Sequence, residues 1–352
     1  MTSRMSELFG VEVPILLAPM AGAGSSALAI AVARGGGLGA LPCAMLSHEQ
    51  IRAEVRAFRA AVRRPLNLNF FCHAPPAADA ERERKWRERL APYYAELGID
   101  PAAAAPVPSR APFDAALCAL VEELRPEVVS FHFGLPAADR LARVKATGAK
   151  VLASATTVAE AVWLERAGCD AIVAQGAEAG GHRGTFLDGD VATQVGTMAL
   201  VPQVVDAVRV PVIAAGGIGD ARGLAAAFAL GASAVQLGTA YLFCPEATIS
   251  PVYREALRRA GPTAVTNVFT GRPARGFVNR LVREVGPISD RAPPFPLAGG
   301  AVAPLRQADP ANFGPLWSGQ AAALGRELPA EELTRRLAEE AFARMASARA
   351  GG

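Results

Sequence analysis

One histidine of the chain lies within a glycine-rich run, where its ring is free to meet a ligand. His182 follows Gly180 and Gly181 and precedes Gly184, directly after an apolar run typical of a buried strand. Such small neighbours give the imidazole no evident packing role, and histidine is the side chain best suited to exchange a proton near neutral pH. We therefore predict that His182 transfers protons in a catalytic site; the alternative is a surface histidine in a flexible loop.

Two glycine-bearing turns have the composition of a phosphate site. Gly216 and Gly217 follow one apolar run, and Gly238 and Thr239 follow the next run along the chain. Glycine lets backbone N–H groups approach a phosphate closely, so such a site needs no lysine or arginine, and neither turn contains one. The two turns therefore favour phosphate binding over the alternative of plain tight turns.

Two amide side chains belong to one predicted strand. Asn67 and Asn69 flank Leu68, so the alternation of a strand places both amides on the same face. Burial of an amide is costly unless it binds something. A ring with carbonyl and N–H edges is one candidate for such a partner.

Three more residues are candidates for a substrate pocket. His132 lies near the end of the following strand and either lines the pocket or is a hydrogen-bonded core residue. Arg272 and Arg275 lie in a Pro/Gly-rich segment and could meet an anionic substrate, the alternative being solvation at the surface.

A glycine motif near the start of the chain matches part of the fingerprint of a dinucleotide-binding site. The segment Gly22 to Ala27 matches the pattern G-x-G-x-x-A of that fingerprint. The fingerprint also requires an acidic residue at the end of the second strand, which here ends with Leu41-Pro42-Cys43. The sequence therefore disfavours a bound dinucleotide.

The composition indicates a soluble globular protein without a nucleic-acid or membrane partner. Lys and Arg number 36 against 33 Asp and Glu, a net charge of +3 that is too balanced for binding nucleic acid through a basic surface. Five cysteines without a C-x-x-C pair argue against a zinc ribbon or a disulfide framework, and the four histidines have no metal-ligand spacing. We interpret the uncharged stretch 223–245 as a buried helix and strand, and we expect a cytoplasmic location.

Eight short apolar runs bounded by Gly, Pro or Asn predict the strands of a parallel sheet. They are Ile15–Pro19, Gly37–Pro42, Pro65–Phe71, Glu127–Gly134, Lys150–Thr156, Ala171–Gly176, Pro211–Gly217 and Ala234–Thr239. Amphipathic helices lie between most of them, some with capping-box sequences such as those that begin at Ser47 and Thr157. This alternation predicts an α/β fold, a (β/α)8 barrel of the TIM type.

The rest of the chain divides around this barrel. We assign residues 1–250 to the barrel, 251–326 to a smaller domain over its mouth that helps form the substrate pocket, and 327–352 to a C-terminal helix. A charged helical insertion, about 74–125, interrupts the barrel after the third strand, and its mixed charges predict a solvated helix.

Together these motifs resemble the class I nitronate monooxygenases, formerly called 2-nitropropane dioxygenases. The resemblance covers about residues 10–250 and, weakly, the tail. It rests on Ala18-Pro19-Met20, Asn67-Leu68-Asn69-Phe70-Phe71, Ser130-Phe131-His132-Phe133-Gly134, the segment from Gln175 to Gly184, Ala215-Gly216-Gly217-Ile218 and Gln236-Leu237-Gly238-Thr239. Flavin-dependent enoyl-acyl-carrier-protein reductases and a related quinone reductase have a similar Gly-His loop, but the motifs of the third and fourth strands favour the monooxygenases.

The resemblance implies one FMN at the carboxyl ends of the strands. It also implies FMN-dependent oxidative denitrification of an alkyl nitronate or nitroalkane by O2, giving a carbonyl compound and nitrite, with His182 as the catalytic residue. The residues carried over as FMN contacts are Met20, Asn69, Gln175, Gly180, Gly181, Gly216, Gly217, Gln236, Leu237, Gly238 and Thr239. Two other functions stay open: an NAD(P)H-dependent FMN reductase acting on a quinone or an enoyl thioester, and a flavin-binding barrel without turnover.

Overall fold

Eight parallel strands form a barrel at the centre of the computed structural model, which describes residues 4–77, 79–100 and 110–350. The strands of the chain are β1 (Ile15–Leu17), β2 (Gly39–Pro42), β3 (Leu66–Phe71), β4 (Val128–His132), β5 (Lys150–Ala155), β6 (Ala171–Gln175), β7 (Gly181–His182), β8 (Val212–Ala215), β9 (Ala234–Leu237), β10 (Thr263–Thr266) and β11 (Ala274–Phe277). Around the barrel the order is β1-β9-β8-β6-β5-β4-β3-β2. A parallel bridge between Leu16 and Leu38 closes the ring, so the predicted barrel of eight strands is confirmed.

Helices follow the barrel strands and cover their outer face. The helices are α1 (Arg4–Phe9), α2 (Ser26–Arg34), α3 (His48–Ala61), α4 (Ala80–Glu96), α5 (Ala115–Leu124), α6 (Ala138–Ala146), α7 (Val158–Arg166), α8 (Thr197–Ala207), α9 (Ala221–Ala229), α10 (Thr239–Leu242), α11 (Pro251–Arg259), α12 (Arg280–Val285), α13 (Ala298–Ala308), α14 (Pro310–Phe313) and α15 (Ala330–Ala350). Within the described ranges, short 3-10 turns lie at Cys43–Met45, Val191–Thr193 and Ala322–Leu324. The stretch 223–245 divides among α9, β9 and α10, and no helix in the described ranges is long and apolar enough to cross a membrane.

The strand alternation separates two apolar layers. Alternate residues such as Leu68 and Leu237 face the outer helices, while Leu16, Val128 and Leu152 fill the barrel interior. Met5 of α1 joins this interior layer and is fully buried. The amino-terminal end of the barrel is therefore packed solid, and the space for a ligand lies at the carboxyl ends of the strands.

Two predicted helix caps behave differently. Ser47 and Gln50 form the full capping box at the start of α3. Thr157 accepts from the Glu160 N–H at the start of α7, but the Glu160 carboxylate does not return to the cap. It instead accepts from the amides of Thr156 (2.6 Å) and Phe186 (2.6 Å). The buried carboxylate therefore ties the loop after His182 to the β5–α7 turn.

A second apolar cluster lies over the barrel mouth and includes the charged helix α4. Trp86 of α4 donates to the Ala298 carbonyl (3.1 Å) and Tyr94 to the Ala301 carbonyl (2.5 Å), both on α13. The prediction of a solvated helix is wrong for this face, because Trp86 and Tyr94 are buried against α13. Strands β10 and β11 form an antiparallel sheet with β7, which joins this layer to the glycine-rich loop.

The last helix packs on the barrel wall. Helix α15 lies against α2 and α9, and its residues Leu333, Leu337 and Ala341 belong to the main core. Thr334 contacts the Tyr241 hydroxyl at 2.7 Å, and a Cβ on Gly35 would lie only 2.7 Å from the Thr334 Cβ. The close approach of α2 and α15 therefore depends on that glycine.

Candidate active site

A cavity of about 370 Å³ opens at the carboxyl ends of the barrel strands. Its size is in the range typical of small-molecule sites. Twelve of the residues singled out in the sequence lie in its wall: Met20, Asn69, His132, Gln175, Gly180, Gly181, His182, Gly216, Gly217, Gln236, Gly238 and Thr239. Residues that are distant in sequence therefore meet at one site.

Leu237, one of the residues expected to contact FMN, has its side chain on the outer face of the barrel. Leu237 lies between Gln236 and Gly238 on β9, and both of these line the cavity. The period of two along a strand turns the Leu237 side chain to the outer face, where it is buried in the main core. The expected contact of Leu237 with a ligand is therefore not supported by its position.

The glycine turns present free backbone donors to the cavity. Gly216 and Gly217 have φ values of +107° and +70°, a region that favours glycine. The amides of Gly217 and Gly238 donate to no acceptor in the described part of the chain. The Thr239 hydroxyl oxygen accepts from the Gly319 amide (2.9 Å), so its own hydrogen stays available. These donors form a cradle for an anion without a basic side chain.

The amide of Gln175 is used to shape the loop that carries His182. Its Nε2 donates to the His182 carbonyl (3.0 Å) and its Oε1 accepts from the Gly184 amide (2.8 Å). The buried Arg183 guanidinium donates to the carbonyls of Gln175 (2.8 Å) and Gly176 (2.7 Å). Sequence reasoning did not assign Arg183 a role, although its place beside His182 in the motif was a signal.

Aromatic rings surround the His182 imidazole. Its Nε2 lies 2.9 Å from the Thr270 Oγ1, while no described residue bonds its Nδ1. The ring centroids nearest to it are those of Phe295 (5.3 Å), Trp317 (5.6 Å), Phe133 (5.9 Å) and Phe71 (6.4 Å). This environment excludes water from the imidazole except on the cavity side.

His132 both lines the cavity and is hydrogen-bonded on both ring nitrogens. Its Nε2 lies 3.2 Å from the His182 carbonyl, which can only accept, so Nε2 must carry the hydrogen. In the neutral ring Nδ1 then accepts from the Ser154 hydroxyl at 3.0 Å. His132 therefore holds the backbone of His182, and its lone pair is already occupied.

The electrostatics of the site keep its histidines neutral. Burial and then the positive charge of Arg272 lower the pKa of His132 to about 3. Burial and then the charge of Arg272 lower the pKa of His73 to about 4. The pKa of His182 lies well below its usual value, first because of burial and then because of the charge of Arg110. His182 is therefore a neutral imidazole, able to accept a proton.

Arg272 and Arg275 contact protein groups and do not line the cavity. The Arg272 guanidinium lies 3.9 Å over the Phe133 ring and donates to the Thr185 carbonyl. Arg275 donates to the Ala177 carbonyl at 2.8 Å. Both are half-buried, so neither the expected substrate contact nor the alternative of surface solvation describes them.

Two other arginines lie in the cavity wall, where Arg272 and Arg275 were expected. Arg110 and Arg306 line the cavity, and neither makes an ion pair with a carboxylate in the described ranges. Burial, followed by the charge of Arg306, lowers the pKa of Arg110 to about 10. No sequence signal distinguished Arg110 and Arg306 from the other basic residues, because their positions depend on contacts between segments that are distant in sequence.

Titratable residues that could ligate a metal are dispersed. Across the described ranges, no group of three or more His, Cys, Asp or Glu side chains is arranged to hold a metal ion. The functional groups that the cavity wall offers include imidazole, guanidinium and backbone amides.

Comparison with known proteins identifies close relatives. The sequence profile of the nitronate monooxygenase family matches residues 2–340. The nitronate monooxygenase of Pseudomonas aeruginosa is 45% identical over 354 residues, 97% of this chain and 99% of the relative. That of Paraburkholderia phytofirmans is 44% identical, over 95% of this chain and 93% of the relative.

Two solved structures share the whole fold. Nitroalkane oxidase from Streptomyces ansochromogenes superposes with a TM-score of 0.89 at 37% identity, covering 98% of this chain and 99% of that one. FabK from Thermotoga maritima superposes with a TM-score of 0.73 at 28% identity, covering 99% of both chains.

Proposed function

The chain belongs to the nitronate monooxygenase family, and from this membership we propose how its residues carry out the oxidative denitrification of an alkyl nitronate. The protein is an oxidoreductase, and the reaction with O2 yields a carbonyl compound and nitrite. The observation that carries the proposal is the position of His182 in the wall of a cavity that also holds the unbonded amides of Gly217 and Gly238.

Family membership implies a flavin cofactor, and the residues of the cavity fit FMN. The free amides of Gly217 and Gly238 and the hydroxyl of Thr239 suit one phosphate. A Cβ on Gly238 would lie 3.4 Å from the Ala18 Cβ, so only a glycine leaves that part of the cradle empty. A flavin bound here would supply electron transfer between the nitronate and O2, which no side chain in the wall provides.

The chain's own groups would handle protons, orientation and water. His182 accepts the α-proton of a neutral nitroalkane, and the surrounding aromatic rings exclude water from it. His132 and Gln175 hold the His182 backbone in place through its carbonyl. Residues 251–326, with helix α4, form the cap over the mouth, and their contributions to the wall include Tyr253 and Trp317.

An anaerobic experiment separates the proposed reaction from its rivals. In the flavin-loaded protein, a nitronate should bleach the flavin absorbance while NAD(P)H should not, and admission of O2 should then release nitrite. Bleaching by NAD(P)H and not by nitronate would favour the reductase. A yellow protein that responds to neither would be a flavin-binding barrel without turnover.

The arginine pair at the mouth suits a substrate that carries a second negative charge. A hydrogen bond to a charged group typically contributes about 1.5–3 kcal/mol. Arg110→Gln or Arg306→Gln should therefore raise KM about tenfold or more for a carboxylated nitronate, and leave KM for a nitronate without a carboxylate within about twofold. The readout is the ratio of the two KM values from initial rates of O2 consumption.

A matched control keeps this test specific. Arg166→Gln removes the same charge from an exposed position at the far end of α7, so it should change neither KM. Equal changes for both substrates in the Arg110 and Arg306 variants would contradict the anion-binding role.

A further inference from the structure

One hydroxyl outside the cavity wall contacts the reactive imidazole. Thr270 lies in the loop between β10 and β11, and only 4% of its surface is exposed. Its Oγ1 lies 2.9 Å from the His182 Nε2 and 3.3 Å from the carbonyl oxygen of Arg272. We propose that Thr270 sets the tautomer of His182 as a positioning residue and leaves Nδ1 as the nitrogen that accepts the substrate proton. This inference rests on the proposed role of His182.

The single hydroxyl hydrogen of Thr270 links the directions of its two bonds. A carbonyl oxygen only accepts, so the contact at 3.3 Å is a hydrogen bond when this hydrogen points to the Arg272 carbonyl. Both contacts of Thr270 can be hydrogen bonds at once only if the His182 Nε2–H donates to the Thr270 Oγ1 at 2.9 Å, and this is the arrangement that we assign. A neutral imidazole carries one hydrogen, so Nδ1 retains its lone pair.

The backbone around Thr270 keeps this arrangement in place. His182 on β7 pairs with Ala274 on β11, and the Arg183 amide donates to the Pro273 carbonyl (2.9 Å). The loop with Thr270 is thus bonded to the strand with His182 at two successive positions. Rotation of the imidazole would replace the bond to Thr270 by contact with aromatic rings, which offer no comparable acceptor.

The position of Thr270 argues for a role through His182. Thr270 lies behind the imidazole and its hydroxyl does not line the cavity, so it does not touch a ligand there. Its burial is satisfied by the Arg272 carbonyl alone, so the second bond is not needed to stabilise the hydroxyl. What the second bond changes is which nitrogen of His182 carries the hydrogen.

A pair of substitutions at residue 270 tests the inference. Thr270→Val removes the hydroxyl at similar volume, and Thr270→Ser retains it. In the Val variant kcat/KM for a neutral nitroalkane should fall about tenfold, the change that loss of one side-chain hydrogen bond typically produces. The rate with a preformed nitronate should stay within about twofold, and the Ser variant should match the native protein on both substrates.

Nuclear magnetic resonance reports the tautomer directly. In flavin-loaded protein labelled with 15N-histidine, the His182 ring should show one protonated Nε2 and one unprotonated Nδ1. The Val variant should show a mixture of both tautomers, and the Ser variant should return to the native pattern. Flavin content and thermal unfolding should be the same in all three proteins.

Each alternative outcome is distinct. An unchanged His182 spectrum in Thr270→Val overturns the inference, and so does an equal loss of rate on both substrates. If His182→Asn keeps full nitroalkane activity, the proposed role of His182 fails. The spectrum would in that case still show whether Thr270 sets the tautomer, so the two failures can be told apart.

Discussion

Replacement of His182 by asparagine should abolish turnover of a neutral nitroalkane and largely spare a preformed nitronate. The nitroalkane must lose its α-proton before it can donate an electron, whereas the nitronate has already lost it. A positioned general base contributes about 10²–10⁴-fold, so kcat/KM for the nitroalkane should fall by that factor. Initial rates of O2 consumption with each substrate give the two values.

The surroundings of His182 favour its role as a neutral base over a role as a protonated residue that binds the nitronate anion. Burial and the positive charge of Arg110 hold the pKa of His182 well below its usual value. The neutral form therefore persists as the pH falls through the ordinary range of histidine titration, near 6.5. The kcat/KM of the native enzyme for a neutral nitroalkane should accordingly show no acid limb near pH 6.5.

Other results would assign His182 differently. Equal losses on both substrates would make His182 an anion-binding or structural residue, and unchanged rates would exclude it as the base. His48→Asn is a suitable control, since His48 lies at the start of α3 and outside the cavity wall.

Replacement of Gly238 by valine should yield a folded protein that has lost most of its flavin. Gly238 has φ −111°, which a side chain can adopt, and a Cβ there would lie 3.4 Å from Ala18 and 3.7 Å from Met20. The backbone therefore tolerates the change, while the two methyl groups enter the anion cradle. Overpacking typically costs about 1–3 kcal/mol, so flavin affinity should fall about tenfold to a hundredfold.

The ratio of flavin absorbance to protein absorbance, together with the melting temperature, measures this effect. Gly189→Val is the matched control, because nothing lies within 4 Å of a Cβ at that exposed glycine. Full flavin retention in Gly238→Val would contradict the phosphate assignment. The ligand that heat releases from the native protein should have the mass of FMN; the mass of FAD would contradict the single-phosphate site.

The barrel was predictable because its signals are local. Buried parallel strands appear as short apolar runs. The turns after β8 and β9 appear as glycines directly after those runs, and the backbone of the first turn itself favours glycine. The place of His182 in the cavity wall was predictable for the same reason, since its glycine neighbours are adjacent in sequence. Such features depend little on the rest of the fold.

The residues that were missed or misplaced depend on contacts between distant segments. Arg110 and Arg306 both line the cavity, although they lie far apart in sequence and outside the strands of the barrel. Arg272 is held over the Phe133 ring, a pairing that no spacing in the sequence indicates. The Thr157 capping box failed for the same reason, since Glu160 bonds the distant amide of Phe186.

The pairing of the first barrel strand with the last one delays the closure of the barrel during synthesis. β1 pairs with β9, and α2 packs against α15, so the earliest elements have late elements as partners. On a ribosome, β1 and α2 emerge well before the segments that cover them, and their apolar faces stay exposed meanwhile. Contacts between residues so far apart close slowly because a long loop must be ordered first. Closure of the barrel therefore waits until β9 and α15 have been synthesised.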